Sequence, residues 1–291
     1  ARSCACPAAI VQEGMPETVN ARAAVAAGAE WLGVTSALEA MELREHGVKL
    51  PVLLLGPINP AHTALAIEQD FIIPLIHEAQ AKEISAAAAA AGKTITAHLK
   101  IDTGMSRYGL SVGKDMEGCV NEALRMTKLP NIHVTGVFTH FAVANLPEQD
   151  EFTHKQMALF REFSERMAQN GVKLIRHCAN SPGTLRFPEV HYDMVRTGTL
   201  LYGFNQYGVV DLEPVMELKA RITQIKKLDV GDTIGYGRLF TCERPTTIAI
   251  VPFGFVDGIH RAASNKTWML VNGKPARIVG KICMDLCFLD I

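Results

Sequence analysis

The chain has 291 residues, 48% of them hydrophobic, and a formal net charge of −1. That length and apolar content suit one large domain, or a large and a small one, with a packed core, and the charge gives no electrostatic case for nucleic acid or an anionic membrane. No run approaches the ~18 apolar residues of a membrane span, no secretory signal opens the chain, and seven scattered cysteines make neither a disulfide framework nor zinc spacing. A reduced, cytoplasmic protein with no metal, membrane or nucleic-acid partner is the expectation.

From 17 to about 210, apolar runs alternate with Ala- and Glu-rich stretches of helical spacing. Strands are expected at 31–35, 52–55, 71–73, 96–101, 134–140, 174–177 and 194–201, and helices at 17–27, 37–46, 78–91, 114–126 and 149–168. Such alternation, with strands apolar throughout, means a parallel sheet covered by helices. Seven strands suit an α/β fold of the eight-stranded (β/α)8 TIM-barrel type lacking one strand, with an open doubly wound sheet as the competing topology. Residues 1–13 carry two cysteines and no strand periodicity, so the absent strand is the first. After Glu213 the texture becomes β-branched, with strands expected at 215–226, 233–236, 246–252, 268–271 and 277–291 and a hairpin at Asn272-Gly273. The expected domains are an α/β barrel over 15–211 and a mostly-β domain over 212–291, the latter incomplete because the chain stops inside an apolar strand.

Two segments carry chemistry. In 177–203, Asn180-Ser181-Pro182-Gly183 ends one strand and Arg196-Thr197-Gly198-Thr199 ends the next. Hydroxyls and free N–H groups at two strand ends can cup a phosphate, and Arg196 adds a permanent cation with a fixed fork of donors. Taken alone, two βα loops with ordinary turn residues explain this segment equally well. In 98–109, alternation sends His98, Lys100 and Asp102 to one strand face, and a lysine inside a barrel is expensive unless paired or modified. Gly104 and Gly109 allow the turn that carries Arg107 over the strand ends. Surface Lys and Arg on a loop is the competing explanation.

Lys-Ile-Asp-Thr-Gly-Met-Ser-Arg at 100–107, Thr139-His-Phe-Ala, Ala179-Asn-Ser with Met194-Val-Arg, Gly235-Tyr-Gly and Ile282-Cys-Met-Asp occur in this order. From about Met15 onward the chain closely resembles the alanine racemases. The resemblance implies a pyridoxal 5'-phosphate barrel plus a β domain, in a homodimer whose active sites are shared between subunits. It implies L-alanine to D-alanine interconversion through a cofactor aldimine by a two-base mechanism, supplying D-alanine for cell-wall peptidoglycan. Ser181, Gly198 and Thr199 would hold the phosphate, with Asn180 in support, and Arg196 would donate to the pyridine nitrogen. His140 would link Tyr236 to Arg196, and Tyr236 would be the base on one face of the substrate. An ordinary phenol has a pKa near 10, and the neighbouring Arg196 would favour phenolate; a core tyrosine with a satisfied hydroxyl is the alternative. Lys100 would be the family's carbamylated lysine, orienting Arg107 toward the cofactor's phenolic oxygen and the substrate carboxylate. Met284, through its backbone, and Asp285 would approach from the partner subunit.

Two departures stand out. Phe255 occupies a position where the family usually has a tyrosine at the substrate entrance, which puts strict preference for alanine over other small amino acids in doubt. The family's Schiff-base lysine, the second base, lies in a Val-Lys-Ala-x-Ala-Tyr-Gly-His-Gly motif before the first helix. Here that stretch reads Ala8-Ala-Ile-Val-Gln-Glu-Gly14, and no lysine occurs before Lys49. A fragment of a racemase, inactive as it stands, is therefore expected. A non-catalytic protein binding pyridoxal phosphate or an amino acid is the alternative. A lyase or decarboxylase on the same fold is disfavoured by Arg196, where such enzymes generally use an acidic residue.

Overall fold

The computed structural model describes residues 6–10, 17–204 and 210–291, with the backbone alone for 6–10, 17 and 18. The chain divides into two compact units, Ala1–Val215 and Met216–Ile291.

In the first unit eight parallel strands form the barrel: β1 (Cys6–Ile10), β2 (Trp31–Val34), β3 (Val52–Leu54), β4 (Ile73–Leu75), β5 (Ile95–Asp102), β7 (Ile132–Phe138), β8 (Ile175–His177) and β9 (Met194–Thr197). A short β6 (Leu110–Ser111) pairs beside β5. One run of pairing is β3-β2-β1-β9 and the other β4-β5-β7-β8. A Leu53–Ile72 bridge joins the two runs on one side. On the other, Asp193 N donates to Arg176 O at 3.2 Å and Arg196 N to Ala179 O at 2.9 Å. The expected gap at the first strand is therefore filled. Ala8 and Ala9 pair with Trp31 and Leu32 on one side and with Arg196 and Thr197 on the other. The reason is elementary: without β1, the facing edges of β2 and β9 would leave rows of backbone donors and acceptors unpaired. Residues 11–14 of the departing stretch, and Met15, lie outside the described residues.

The covering helices are α1 (Glu17–Ala26), α2 (Ala37–Glu45), α3 (Thr63–Glu68), α4 (Glu78–Ala90), α5 (Met116–Met126), α6 (Asp150–Gln169) and α7 (Ser181–Arg186). Their starts are chemically specified. Ser36 accepts from Glu39 N while Glu39 accepts from Thr35 N and the Ser36 hydroxyl, a reciprocal cap. Asp115 caps Gly118 N at 2.8 Å and Asn180 caps Gly183 N at 3.1 Å. The 180–183 stretch is thus the first turn of α7 rather than an open loop, because Asn180 caps it and Pro182 sits where a helix needs no N–H. The near-continuously buried strands and the inner faces of α1 to α6 build one core, with Leu32, Leu54, Ile73, Leu99, Phe160 and Phe163 essentially inaccessible.

The second unit holds a five-stranded antiparallel sheet formed by β10 (Gln224–Leu228), β13 (Thr246–Val251), β14 (Trp268–Val271), β15 (Lys274–Ile278) and β16 (Cys287–Asp290), ordered β10-β13-β16-β15-β14. The small pair β11 (Thr233–Ile234) and β12 (Phe240–Thr241) stands beside it. Val271 pairs with Lys274 across Asn272 (φ 51°) and Gly273 (φ 77°), the two positive φ values that a tight hairpin of matching twist demands. The strand expected over 277–291 is two strands; its middle, 279–286, leaves the sheet to form the Met284 loop. Among the described residues no helix is long and apolar enough to cross a membrane.

Candidate active site

The carboxyl ends of the barrel strands surround a cavity of about 390 Å³, the end of this architecture where sites are built. Eight of the anticipated residues line it or brace it: Lys100 and Arg107 from β5 and its loop, His140 after β7, Asn180 and Ser181 at the head of α7, and Arg196, Gly198 and Thr199 from β9. Thr35, Leu55, Gly56, Tyr108, Phe138, Asn145 and Pro182 also line it, without a site role having been expected of them from sequence. Among the described residues no carboxylate lines it.

Arg196 is the anchor. It is only 2% exposed, yet its guanidinium is well supplied with acceptors: Nη1 donates to His177 O at 2.8 Å and Nη2 to Thr139 O at 2.7 Å. Burial lowers its pKa to about 10, so it remains a cation at neutral pH. Nη1 also lies 3.0 Å from His177 Nδ1, and His177 Nε2 lies 2.9 Å from His98 Nδ1. Arginine can only donate. His177 Nδ1 is therefore the acceptor, and its Nε2–H donates to His98 Nδ1. That leaves the His98 Nε2–H without a partner among the described residues. Burial first, and Arg196 second, hold His98 at about 3 and push His177 well below 6.5. Room for this chain exists because Gly136 has no side chain: a Cβ there would stand 2.6 Å from the His98 ring.

The phosphate-type cup joins two strand ends. Ser181 is buried and its Oγ accepts from Gly198 N at 3.0 Å, so the α7 head and the turn after β9 are locked together beside Thr199. Asn180 braces them, its Nδ2 reaching Phe141 O at 3.4 Å.

Lys100 is 4% exposed; its Nζ donates to Ile101 O at 3.0 Å and lies 5.2 Å from the Phe138 ring centre and 5.8 Å from that of Tyr108. Burial, then Arg196 and Arg107, lower its pKa to about 7, against a small opposing pull from Asp102. The Asp102 side chain instead accepts from Gly104 N and Ser106 N, shaping the loop that presents Arg107. Gly109 (φ 111°) permits that loop to lie on β5, since a Cβ there would be 2.5 Å from Lys100 O. Tyr108 pins the loop by donating to Leu55 O at 2.8 Å.

His140 is kept neutral, its pKa lowered to about 3 by burial first and then by Arg196, Arg107 and Lys100. Its backbone is held by a residue that no sequence pattern singles out. Gln156 of α6, fully buried, donates to His140 O at 3.1 Å and Thr103 Oγ1 at 3.0 Å and accepts from Ala142 N at 2.9 Å.

Tyr236, Met284 and Asp285 belong to the second unit. Tyr236 follows Gly235 in a short turn, Tyr236–Arg238, and is 69% exposed. Met284 is 58% exposed, and its loop is fastened to the Phe255 turn by Phe255 N to Cys283 O and Val256 N to Met284 O, both 3.0 Å. Arg261 lies 4.3 Å over the Phe255 ring.

Residues 16–206 match the family model of the alanine racemase N-terminal domain and 215–291 that of the C-terminal domain. The alanine racemase of Desulforamulus reducens is 42% identical over 278 residues, which cover 93% of this chain and 74% of that protein. The solved alanine racemase of Clostridium difficile 630 superposes with a TM-score of 0.90 at 30% identity, covering 100% of this chain and 77% of that one. The Bartonella henselae alanine racemase, solved with covalently bound pyridoxal phosphate, has the same fold (TM-score 0.88, 24% identity, 99% and 79% covered). Matched in order through both units, the chain belongs to the alanine racemase family.

Proposed function

We propose that the barrel cavity binds pyridoxal 5'-phosphate and a small amino acid, and that the protein interconverts L- and D-alanine. The family depends on this cofactor. The observation that carries the proposal is a cavity whose wall, among the described residues, offers Lys100, Arg107 and Arg196 and no carboxylate. Such a donor set fits a phosphate and a substrate carboxylate together.

Ser181, Gly198 and Thr199 would hold the phosphate. When bound, the cofactor draws electron density from the substrate's α-carbon and makes its hydrogen removable. Arg196 donates to the ring nitrogen without surrendering its own proton, which restrains that withdrawal and disfavours side reactions. Neutral His140 orders the cavity beside it, and Arg107 orients the substrate carboxylate. Tyr236 takes the α-hydrogen on one face, supplied with Met284 and Asp285 by a second copy in a homodimer. With Phe255 lacking a hydroxyl, small amino acids beyond alanine are accepted.

The stretch in which the resemblance places the family's second base reads Ala8-Ala-Ile-Val-Gln-Glu-Gly14 here, without a lysine, and on that reading net racemisation is slow. We expect protein incubated with pyridoxal phosphate and alanine in D2O to label the α-carbon of one enantiomer faster than the other enantiomer accumulates. Cofactor retained without any exchange would favour the non-catalytic binding protein, to which the same missing lysine points. Neither retention nor exchange would refute both.

A further inference from the structure

We infer that the barrel carries a second small-molecule site at the amino-terminal ends of its strands, opposite the cup. Its ligand is a small organic acid, a flat apolar body with a carboxylate at one end and a hydroxyl or carbonyl oxygen at the other. The inference stands apart from the cofactor assignment, because the two cavities share no lining residue among those described.

Strand β5 shows how the barrel interior is layered. Thr96, His98 and Lys100 follow one another on its inner face. Thr96 lines the lower cavity and Lys100 the upper one, with fully buried His98 between them. Side chains normally fill the interior of such a barrel. Here the lower layer leaves about 650 Å³ open, within the ~300–1,000 Å³ of small-ligand sites. Trp31, Ile72 and Ile175 give the hollow its apolar wall, and the Trp31 ring is backed by that of His98 at 5.6 Å.

The polar groups of the wall select an acid. Lys49 is exposed at the rim and takes part in none of the ion pairs among the described residues. Arg44 Nη1 donates to Val48 O and Leu50 O, both at 2.9 Å, which fixes a second cation beside the opening. Among the described residues the wall carries one carboxylate, Asp70, and Lys93 already holds it at 2.9 Å. The rim is therefore net positive with one cation uncommitted, which draws an anion and holds it. Elsewhere in the wall, the Thr135 hydroxyl oxygen is buried without a partner. An unmade hydrogen bond of that kind is unfavourable, and one χ1 rotation exchanges the hydroxyl with the methyl group. A ligand oxygen at that point would satisfy it, while the carboxylate meets Lys49.

The test uses the full chain with 4-hydroxybenzoate as the probe. Binding is followed by calorimetry and by the fluorescence of Trp268→Phe, whose remaining tryptophan is Trp31. We expect saturable binding with a Kd of about 1 mM or tighter and a change in Trp31 emission. The uncharged 4-hydroxybenzamide should bind about tenfold more weakly, and Lys49→Ala should weaken the acid about threefold. Thr135→Val should weaken 4-hydroxybenzoate about threefold and leave benzoate unchanged. Absence of saturable binding, equal affinity for acid and amide, or an unchanged Trp31 emission overturns the inference. So does binding that Lys49→Ala and Thr135→Val leave intact but Arg107→Ala abolishes, which places the acid in the upper cavity. The comparison of acid with amide and the Trp31 signal need neither wall variant, so they decide the matter even if those variants fail to fold.

Discussion

Gln156 sits on the core-facing side of α6 with both ends of its amide engaged, holding the loop that carries His140. Replacing it with leucine keeps most of the volume but strands a backbone donor at Ala142 and an acceptor at His140. Each buried group so abandoned costs about 1–3 kcal/mol. We expect Gln156→Leu to lower stability by about 2–4 kcal/mol, seen as a lower urea midpoint at unchanged slope, and to weaken cofactor retention. Unaltered midpoint and retention would show the amide to be incidental. This residue was illegible beforehand for a simple reason: a glutamine in an amphipathic helix reads as solvent-facing unless the exact face is known. Lys100 and Arg196 were legible because a long cation inside an apolar strand needs a reason to be there.

Among the elements, β5 was read well, since alternation places His98 and Lys100 on the inner side, where both are buried. What alternation could not show was His177 one strand over from β7, completing a line from Arg196 to His98. Its chemistry makes a pH prediction. In the folded protein His98 and His140 do not protonate until about pH 3, and His177 is depressed too. Unfolded, each takes a proton near the ordinary imidazole value of 6.5. The unfolded state therefore binds more protons between these limits. Stability from the neutral rings is complete above about 6.5 and is lost progressively as the pH falls toward about 3. Urea midpoints should decline through that window, and His98→Gln, which keeps an acceptor for His177, should make the decline shallower by at most about 1.4 kcal/mol per pH unit. An identical slope in the variant would remove His98 from the account. The elements misjudged share a cause. The 180–183 turn and the 279–286 loop are set by capping and by the neighbouring Phe255 turn, and β1 by the edges on either side of it. Local periodicity reports none of these.

For the whole molecule, the change of texture after Glu213 anticipated two units of different construction, and the structure divides the chain at Val215. The proposed division of labour places Arg107 in one unit and Tyr236 in the other, joined across two copies. Arg107→Ala and Tyr236→Phe should each abolish solvent exchange at the α-carbon. Mixed in equal amounts after dissociation and reassociation, they should recover about a quarter of the unmodified rate, since half the dimers are hybrids with one intact site. No recovery would mean that each cup is completed by its own chain.

Arg196 leaves β9, reaches carbonyls at the ends of β8 and β7, and receives its own backbone partner from Ala179. It is the rivet of a seam as well as the floor of a cup. A ligand that engages this guanidinium therefore tightens three strands at once, and its affinity returns as resistance of the barrel to opening. The barrel cannot loosen at that seam without dismantling the site, nor can the site drift while the seam is shut.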